Sequence, residues 1–334
     1  MIDVLAQDLA SSSEFYSTAL KHKERLIEGF NKGKEPGESC GIFQLDNNFT
    51  IRKGFMYCFT GWPGSGKSEF LTQIALYQAK KHQRKVGIYS PESYPVEDFI
   101  DSVVHCYLGK TTDKRFPNVC TEKEYISAIE FIDKYFFFLD WKETPDVSKV
   151  IDGFTFLKTL GAEFFIVDPF NSLVTDGEGA NLAVSIKNNL TNFKRFTSQN
   201  KVITCLVEHP KTPTDMKDYD NIPNNRNMFG GTMWWNKIDV GVSVHRMNRH
   251  DKNDDQVIIQ TWKIKNQHLN GTPGEVIIHY DFKRRQYFGS RQKMMEPALE
   301  LQQSFEKPKF ANTAYAPEAR LPYQEKEENS DLPF

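Results

Sequence analysis

The sequence predicts an α/β domain built on a largely parallel sheet that is extended at its late end by antiparallel strands. Three observations carry this expectation. Short apolar runs alternate with longer helical patterns from Phe55 to Tyr287, as crossover units require. The last runs follow one another too closely for intervening helices, which suits antiparallel neighbours. A glycine-rich segment stands directly between the first run and the first helical pattern, where an open α/β sheet gathers its ligands.

Taken in order, residues 1–50 are polar around a short amphipathic segment at 14–30, and NKGKEPGES reads as a loop, so this stretch is expected to be an arm or linker. Its apolar stripe suits packing on a neighbouring subunit or on its own core. The domain proper spans 51–288. The runs FMYCFT, KVGIYS, YFFFLD, EFFIVD, VITCLVEH, VGVSVHR, QVIIQTWKI and EVIIHYDF predict strands, while residues 67–82, 96–108, 147–160 and 182–199 predict helices. From 289 to 334 the composition shifts to Gln, Glu, Lys and Pro. Pro297, Pro308, Pro317, Pro322 and Pro333 are too closely spaced for a long helix, which predicts a disordered tail.

Composition narrows the function. The 334 residues are 39% hydrophobic, enough for one large or two medium domains. With 42 Lys+Arg against 44 Asp+Glu the formal charge is −2, so any polyanion site must be a local patch. No stretch approaches the roughly 18 apolar residues of a membrane span, and the first residues lack a signal-peptide layout; a cytoplasmic protein with no membrane partner is expected. Cys40, Cys58, Cys106, Cys120 and Cys205 are odd in number and widely spaced, against a disulfide framework or a zinc cluster.

GWPGSGKS, Gly61 to Ser68, satisfies the phosphate-loop pattern G-x-x-x-x-G-K-[ST] between a strand and a helix. Gly61, Gly64 and Gly66, with Ser65 between, let backbone N–H groups turn inward around phosphate oxygens. Lys67 supplies a cation to the β- and γ-phosphates, Ser68 a hydroxyl to Mg²⁺, and the helix end, with Glu69 in its first turn, adds its dipole. ATP or another NTP with Mg²⁺ is therefore the expected cofactor pair. A phosphate loop needs a second carboxylate for the metal, and Asp168 at the end of EFFIVD fits that role or caps the turn before Pro169. Glu92 in IYSPES is placed to orient an attacking water; the same position also suits an acidic residue before the helix that begins near Pro95.

In this order and spacing FTGWPGSGKSEF, IYSPES, FFIVDPFN, LVEHP, NMFGGTMWWNKIDVGVSVHR and WKIKNQHLNGTPG resemble the RecA-type motor of the DnaB-like replicative helicases of superfamily 4, on the side of the Twinkle-like and phage primase-helicases. The resemblance covers roughly residues 40–288. It implies a RecA-like P-loop NTPase core and a ring-shaped, hexameric homo-oligomer that hydrolyses NTP at subunit interfaces and pulls single-stranded DNA through its channel. It assigns Lys67 and Ser68 to phosphate and Mg²⁺, Glu92 to the catalytic carboxylate, Asp168 to the metal-water position and His209 to a polar γ-phosphate sensor. Arg246, closing VGVSVHR, is a weaker candidate. Lys263 matches a family lysine, and Lys265 stands where most relatives are expected to carry a trans-acting arginine finger; a lysine offers only a point charge there.

Two aperiodic segments follow the catalytic strands, at 171–181 and 211–231, where family members line the channel. Lys211, Lys217 and Arg226 in the second are donors suited to a phosphate backbone, although Asp215, Asp218 and Asp220 oppose them; an ordinary polar loop has the same composition. The tail ends EKEENSDLPF, in which Asp331 and Phe334 resemble the acidic-aromatic tip of single-stranded-DNA-binding proteins that docks on partners; a merely solubilising tail also fits. The residues before Phe55 are too few for a primase domain, so primase, and a polymerase or loader, are expected as separate partners. The expected function is an ATP-dependent replicative DNA helicase. The alternatives are a RecA-like ATPase without unwinding (a recombinase or helicase loader) and a nucleotide-gated DNA-binding or assembly protein.

Overall fold

In a computed structural model the described residues are 17–295, apart from 174–179, 214, 247, 249, 250 and 252. The tail from 296, with Asp331 and Phe334, and the middle of the 171–181 segment lie outside them.

Nine strands form one sheet. They are β1 (Met56–Thr60), β2 (Lys85–Tyr89), β3 (Phe136–Leu139), β4 (Ala162–Val167), β5 (Ile203–Glu208), β6 (Val240–His245), β7 (Gln256–Ile264), β8 (Gly274–Asp281) and β9 (Gln286–Phe288). Their order is β3-β2-β4-β5-β1-β6-β7-β8-β9. The first six are mutually parallel, and β7, β8 and β9 continue antiparallel, as the sequence leads one to expect. Each parallel strand is apolar on both faces because helices cover both. Tyr57 and Phe59 of β1 pack to one side with α2 (Lys67–His82), α3 (Val96–Leu108) and α4 (Glu122–Tyr135), through Phe70, Val103 and Ile132. Met56 and Cys58 pack to the other with α5 (Val147–Thr159), α6 (Ala180–Asn200) and α7 (Gly231–Lys237), through Phe154, Phe193 and Trp234.

The predicted helices and strands appear with boundaries shifted by at most two residues. The structure adds α4, α7 and the short β9. It also moves part of the supposed arm into the body: Cys40, Ile42, Leu45, Phe49 and Ile51 are buried in the α2-side core. Their apolar side chains fill the space between α2 and the β7–β8 edge, which nothing local in a polar segment announces. Ahead of them α1 (Lys23–Lys32) stays exposed, with Leu26, Ile27 and Phe30 open. Among the described residues no helix is long and apolar enough to cross a membrane.

Candidate nucleotide site

The parallel register sets β4, β5 and β1 side by side, with Phe59 opposite Val207 and Ile166 opposite Cys205, so the residues that follow each strand emerge along one sheet edge. There the loop after β1, Glu92 after β2, Asp168 after β4 and His209 after β5 come together. This is the crevice where an open α/β sheet binds its ligands.

The loop's glycines are structural requirements. Gly66 caps α2 in the left-handed region with φ +90°, and a Cβ there would meet the Tyr287 hydroxyl at 2.2 Å. At Gly61 a Cβ would lie 2.2 Å from the Val244 carbonyl oxygen. Lys67 is 4% exposed, and its Nζ donates to the Gly61 carbonyl at 2.9 Å and the Trp62 carbonyl at 3.2 Å. Burial pushes its ammonium down to about 8, against the pull of Asp168, Glu92 and Glu69. A desolvated cation held by neutral carbonyls is prepared for phosphate.

Ser68 donates its hydroxyl to the Asp168 carboxylate, whose pKa burial nevertheless raises to about 6. Both line a cavity of about 410 Å³ together with Glu69, Thr72, Ser90, Glu92 and Arg285. A hydroxyl and a carboxylate oxygen beside a phosphate cradle are the hard donors Mg²⁺ takes, so the residues fit that ion. Ser90 fixes the Asp168 turn by donating to its backbone carbonyl at 3.0 Å. Glu92 is open to solvent, and His209 Nε2 stands 3.7 Å from its Oε2. Burial and then Lys67 lower the His209 pKa, favouring a neutral ring that can donate one hydrogen bond.

The structure therefore gathers Gly61, Gly64, Ser65, Gly66, Lys67, Ser68, Glu69, Glu92, Asp168 and His209 at one edge. It does not bring Lys263 there. Gly241 pairs with Lys263 and Tyr57 with Val240, so Lys263 and Lys265 sit at the end of β7 beside the starts of β1 and β6, the opposite edge of the sheet from the loop. As part of this chain's own nucleotide site Lys263 is thus corrected; the antiparallel return of β7 carries it away, over the Trp235 ring. Lys265 Nζ lies 3.0 Å from the buried Asp239 carboxylate, which Lys194 also pairs. Arg246 stacks over Phe282 at 4.8 Å and is not among the cavity's lining residues.

The segment 211–231 begins directly after His209 and Pro210. Lys211, Lys217 and Arg226 are exposed along it. The Lys211 N–H donates to the Asn227 carbonyl at 2.7 Å, closing the loop on itself, and its Nζ lies 5.5 Å over the exposed Phe229 ring. Residue-by-residue reading missed Arg285, 3.2 Å from Glu69, and Tyr287, which donates to the Gly66 carbonyl at 2.8 Å. Both reach the loop from the β8–β9 hairpin, more than 200 positions away, and no local signal marks them.

No family model matches the chain. Its fold is that of a solved helicase-type ATPase domain (TM-score 0.68, 13% identity, covering 82% of this chain and 99% of that one). It also matches a DnaB-like replicative helicase whose structure was described with its primase interactions (TM-score 0.64, 14% identity, 85% and 70% covered). The chain is thus a RecA-like P-loop NTPase domain of the DnaB-like kind. In sequence it is similar to a Twinkle homolog protein, chloroplastic/mitochondrial, of Arabidopsis thaliana, 25% identical over 260 residues, 75% of this chain and 36% of that protein. It is similar also to the DNA helicase/primase of Enterobacteria phage T3, 21% identical over 215 residues, 61% and 37% covered. The chain spans just over a third of the length of both relatives.

Proposed function

We propose that this chain is the motor of an ATP-dependent replicative DNA helicase that moves along single-stranded DNA as a homo-oligomeric ring. The observation that carries the reading is the convergence of Lys67, Ser68, Asp168, Glu92 and His209 at one sheet edge, with the loop bearing Lys211, Lys217 and Arg226 springing from His209. The relatives' names point the same way.

Phosphate oxygens are cradled by the N–H groups of Gly64 to Ser68 at the start of α2, and Lys67 leaves its two carbonyls for the β- and γ-phosphates. Ser68 and Asp168 would hold Mg²⁺, which supplies charge neutralisation to the phosphoryl oxygens when bound. Glu92, open to solvent 3.7 Å from His209, orients the attacking water and accepts its proton. His209 donates to the γ-phosphate while present and to Glu92 once it leaves, so the loop that begins two residues later feels which nucleotide is bound.

Lys265 faces away from this chain's own site, as a residue acting on a neighbour's nucleotide must. In the ring, Lys265 supplies a point charge to the adjacent subunit's γ-phosphate, six subunits completing the circle, and the apolar stripe of α1 packs on a neighbour. Primase, polymerase and loader are separate polypeptides, met in part through Asp331 and Phe334 of the tail, and the protein works in the cytoplasm, that of a host if the chain is a phage's. The test is ATP hydrolysis by the purified chain with Mg²⁺. Single-stranded DNA is expected to raise turnover at least about tenfold, and Lys67→Ala to abolish it; hydrolysis indifferent to DNA would contradict a translocating motor and favour a loader-like ATPase.

A further inference from the structure

The phosphate loop and the segment after β5 are interlocked through one side chain. Trp62, 3% exposed, accepts at its carbonyl from Lys67 Nζ at 3.2 Å and from the Ser65 N–H at 3.1 Å, which makes its peptide part of the loop's internal bonding. Its side chain points the other way. The indole N–H donates to the Asn221 carbonyl at 2.9 Å, and the ring packs on Tyr219 with centroids 4.9 Å apart and planes inclined by 59°. The same segment is pinned from below: Ser243 of β6 donates to the Pro223 carbonyl, and Met228 lies fully buried against Cys58 of β1.

A phosphate entering the loop competes with the Gly61 and Trp62 carbonyls for the Lys67 ammonium. A charge-assisted bond to an anionic oxygen is roughly twice as strong as one between neutral groups, so phosphate prevails. The Trp62 peptide is then released from Lys67 while its indole still holds Asn221 and Tyr219.

We propose that Trp62 is a positioning residue that transmits occupancy of the phosphate loop to the DNA-facing segment 211–231, by a route separate from His209. The inference rests on the helicase reading above. Two contacts on one residue, a backbone bond broken by phosphate and a side-chain bond that persists, are what a mechanical coupling requires; a tryptophan serving only as filler would need neither the Asn221 bond nor the Lys67 one.

The experiment measures the affinity of the full chain for a fluorescent single-stranded oligonucleotide by anisotropy, with and without a non-hydrolysable ATP analogue and Mg²⁺. The ratio of the two dissociation constants reports coupling, while a fluorescent nucleotide reports binding at the loop. Wild type is expected to show a ratio of about tenfold or more, within the usual range of coupling between sites. Trp62→Phe, which keeps a ring and loses the N–H, should fall between wild type and Trp62→Ala. In Tyr219→Ala the ratio should drop below about threefold while nucleotide affinity changes less than about threefold. Tyr219→Ala removes only a loop side chain and so carries the test even where Trp62→Ala unfolds the protein. A wild-type ratio in Tyr219→Ala and Trp62→Phe would overturn the proposal and leave the helicase reading standing. A wild type with no nucleotide dependence of DNA affinity would overturn both.

Discussion

At the residue scale the chemistry rests on charged groups taken out of water and left partly unpaired. Lys67 is the clearest case: burial pushes it down to about 8, and the cost of holding it is recovered when an anion arrives. Glu208 is its acidic counterpart one position before His209. It is 3% exposed, its Oε2 has no partner among the described residues, and burial raises its pKa from 4.5 to about 8. The folded protein therefore keeps a proton that the unfolded chain gives up between those values. The corresponding stability is complete below about pH 4.5 and is lost as pH rises through about 8. With one pKa unit equal to about 1.4 kcal/mol, Glu208→Gln should be more stable than wild type at pH 8 by about 1–3 kcal/mol, and the gain should vanish near pH 4.5. Urea unfolding at the two pH values checks this; an equal difference at both would contradict it. Site residues that end a strand, such as Asp168, Glu92 and His209, were legible because an apolar run announces the edge on which they stand. Arg285 and Tyr287 were not, since their place depends on a hairpin folding back across the sheet.

At the scale of elements, the strands and long helices were legible because both faces of the sheet are covered, so every parallel strand is a continuous apolar run and the crossover helices carry apolar faces. The failures have local causes. α4 begins with Thr121 and Glu124 satisfying each other's backbone N–H groups, a start signal present in the sequence as T-x-x-E but masked by the helix's modest apolar face. α7 starts from Gly230 in the left-handed region, which GGTMWWNK gives no reason to expect. The burial of residues 40–51 depends on the space left between α2 and β8. The register of β6 and β7 has a functional consequence, because it puts Lys265 on the edge opposite the phosphate loop. If the lysine serves a neighbour, Lys265→Ala should lose at least about 90% of DNA-stimulated turnover while nucleotide affinity changes less than about threefold. Mixing it with Lys67→Ala should restore part of the turnover, since one subunit then supplies the lysine and its neighbour the intact loop. No recovery on mixing, with both variants folded and oligomeric, would place Lys265 in a structural role through its pair with Asp239.

At the scale of the whole molecule, net charge and composition excluded classes without choosing one, and the fold alone is shared by many NTPases. The choice comes from order: phosphate loop, Glu92, Asp168, His209 and a polar loop, each following a strand of one sheet edge, in a chain whose fold is that of DnaB-like ATPase domains and whose sequence follows about a third of a Twinkle homolog. The central claim is that hydrolysis at this edge is coupled to movement along one DNA strand. Strand displacement from a forked duplex, with ATP and Mg²⁺, tests it most directly. The account predicts ATP-dependent release of the labelled strand by the wild-type chain and none by Lys67→Ala. Vigorous DNA-stimulated hydrolysis with the fork left intact would contradict it and leave an ATPase that binds DNA without unwinding it.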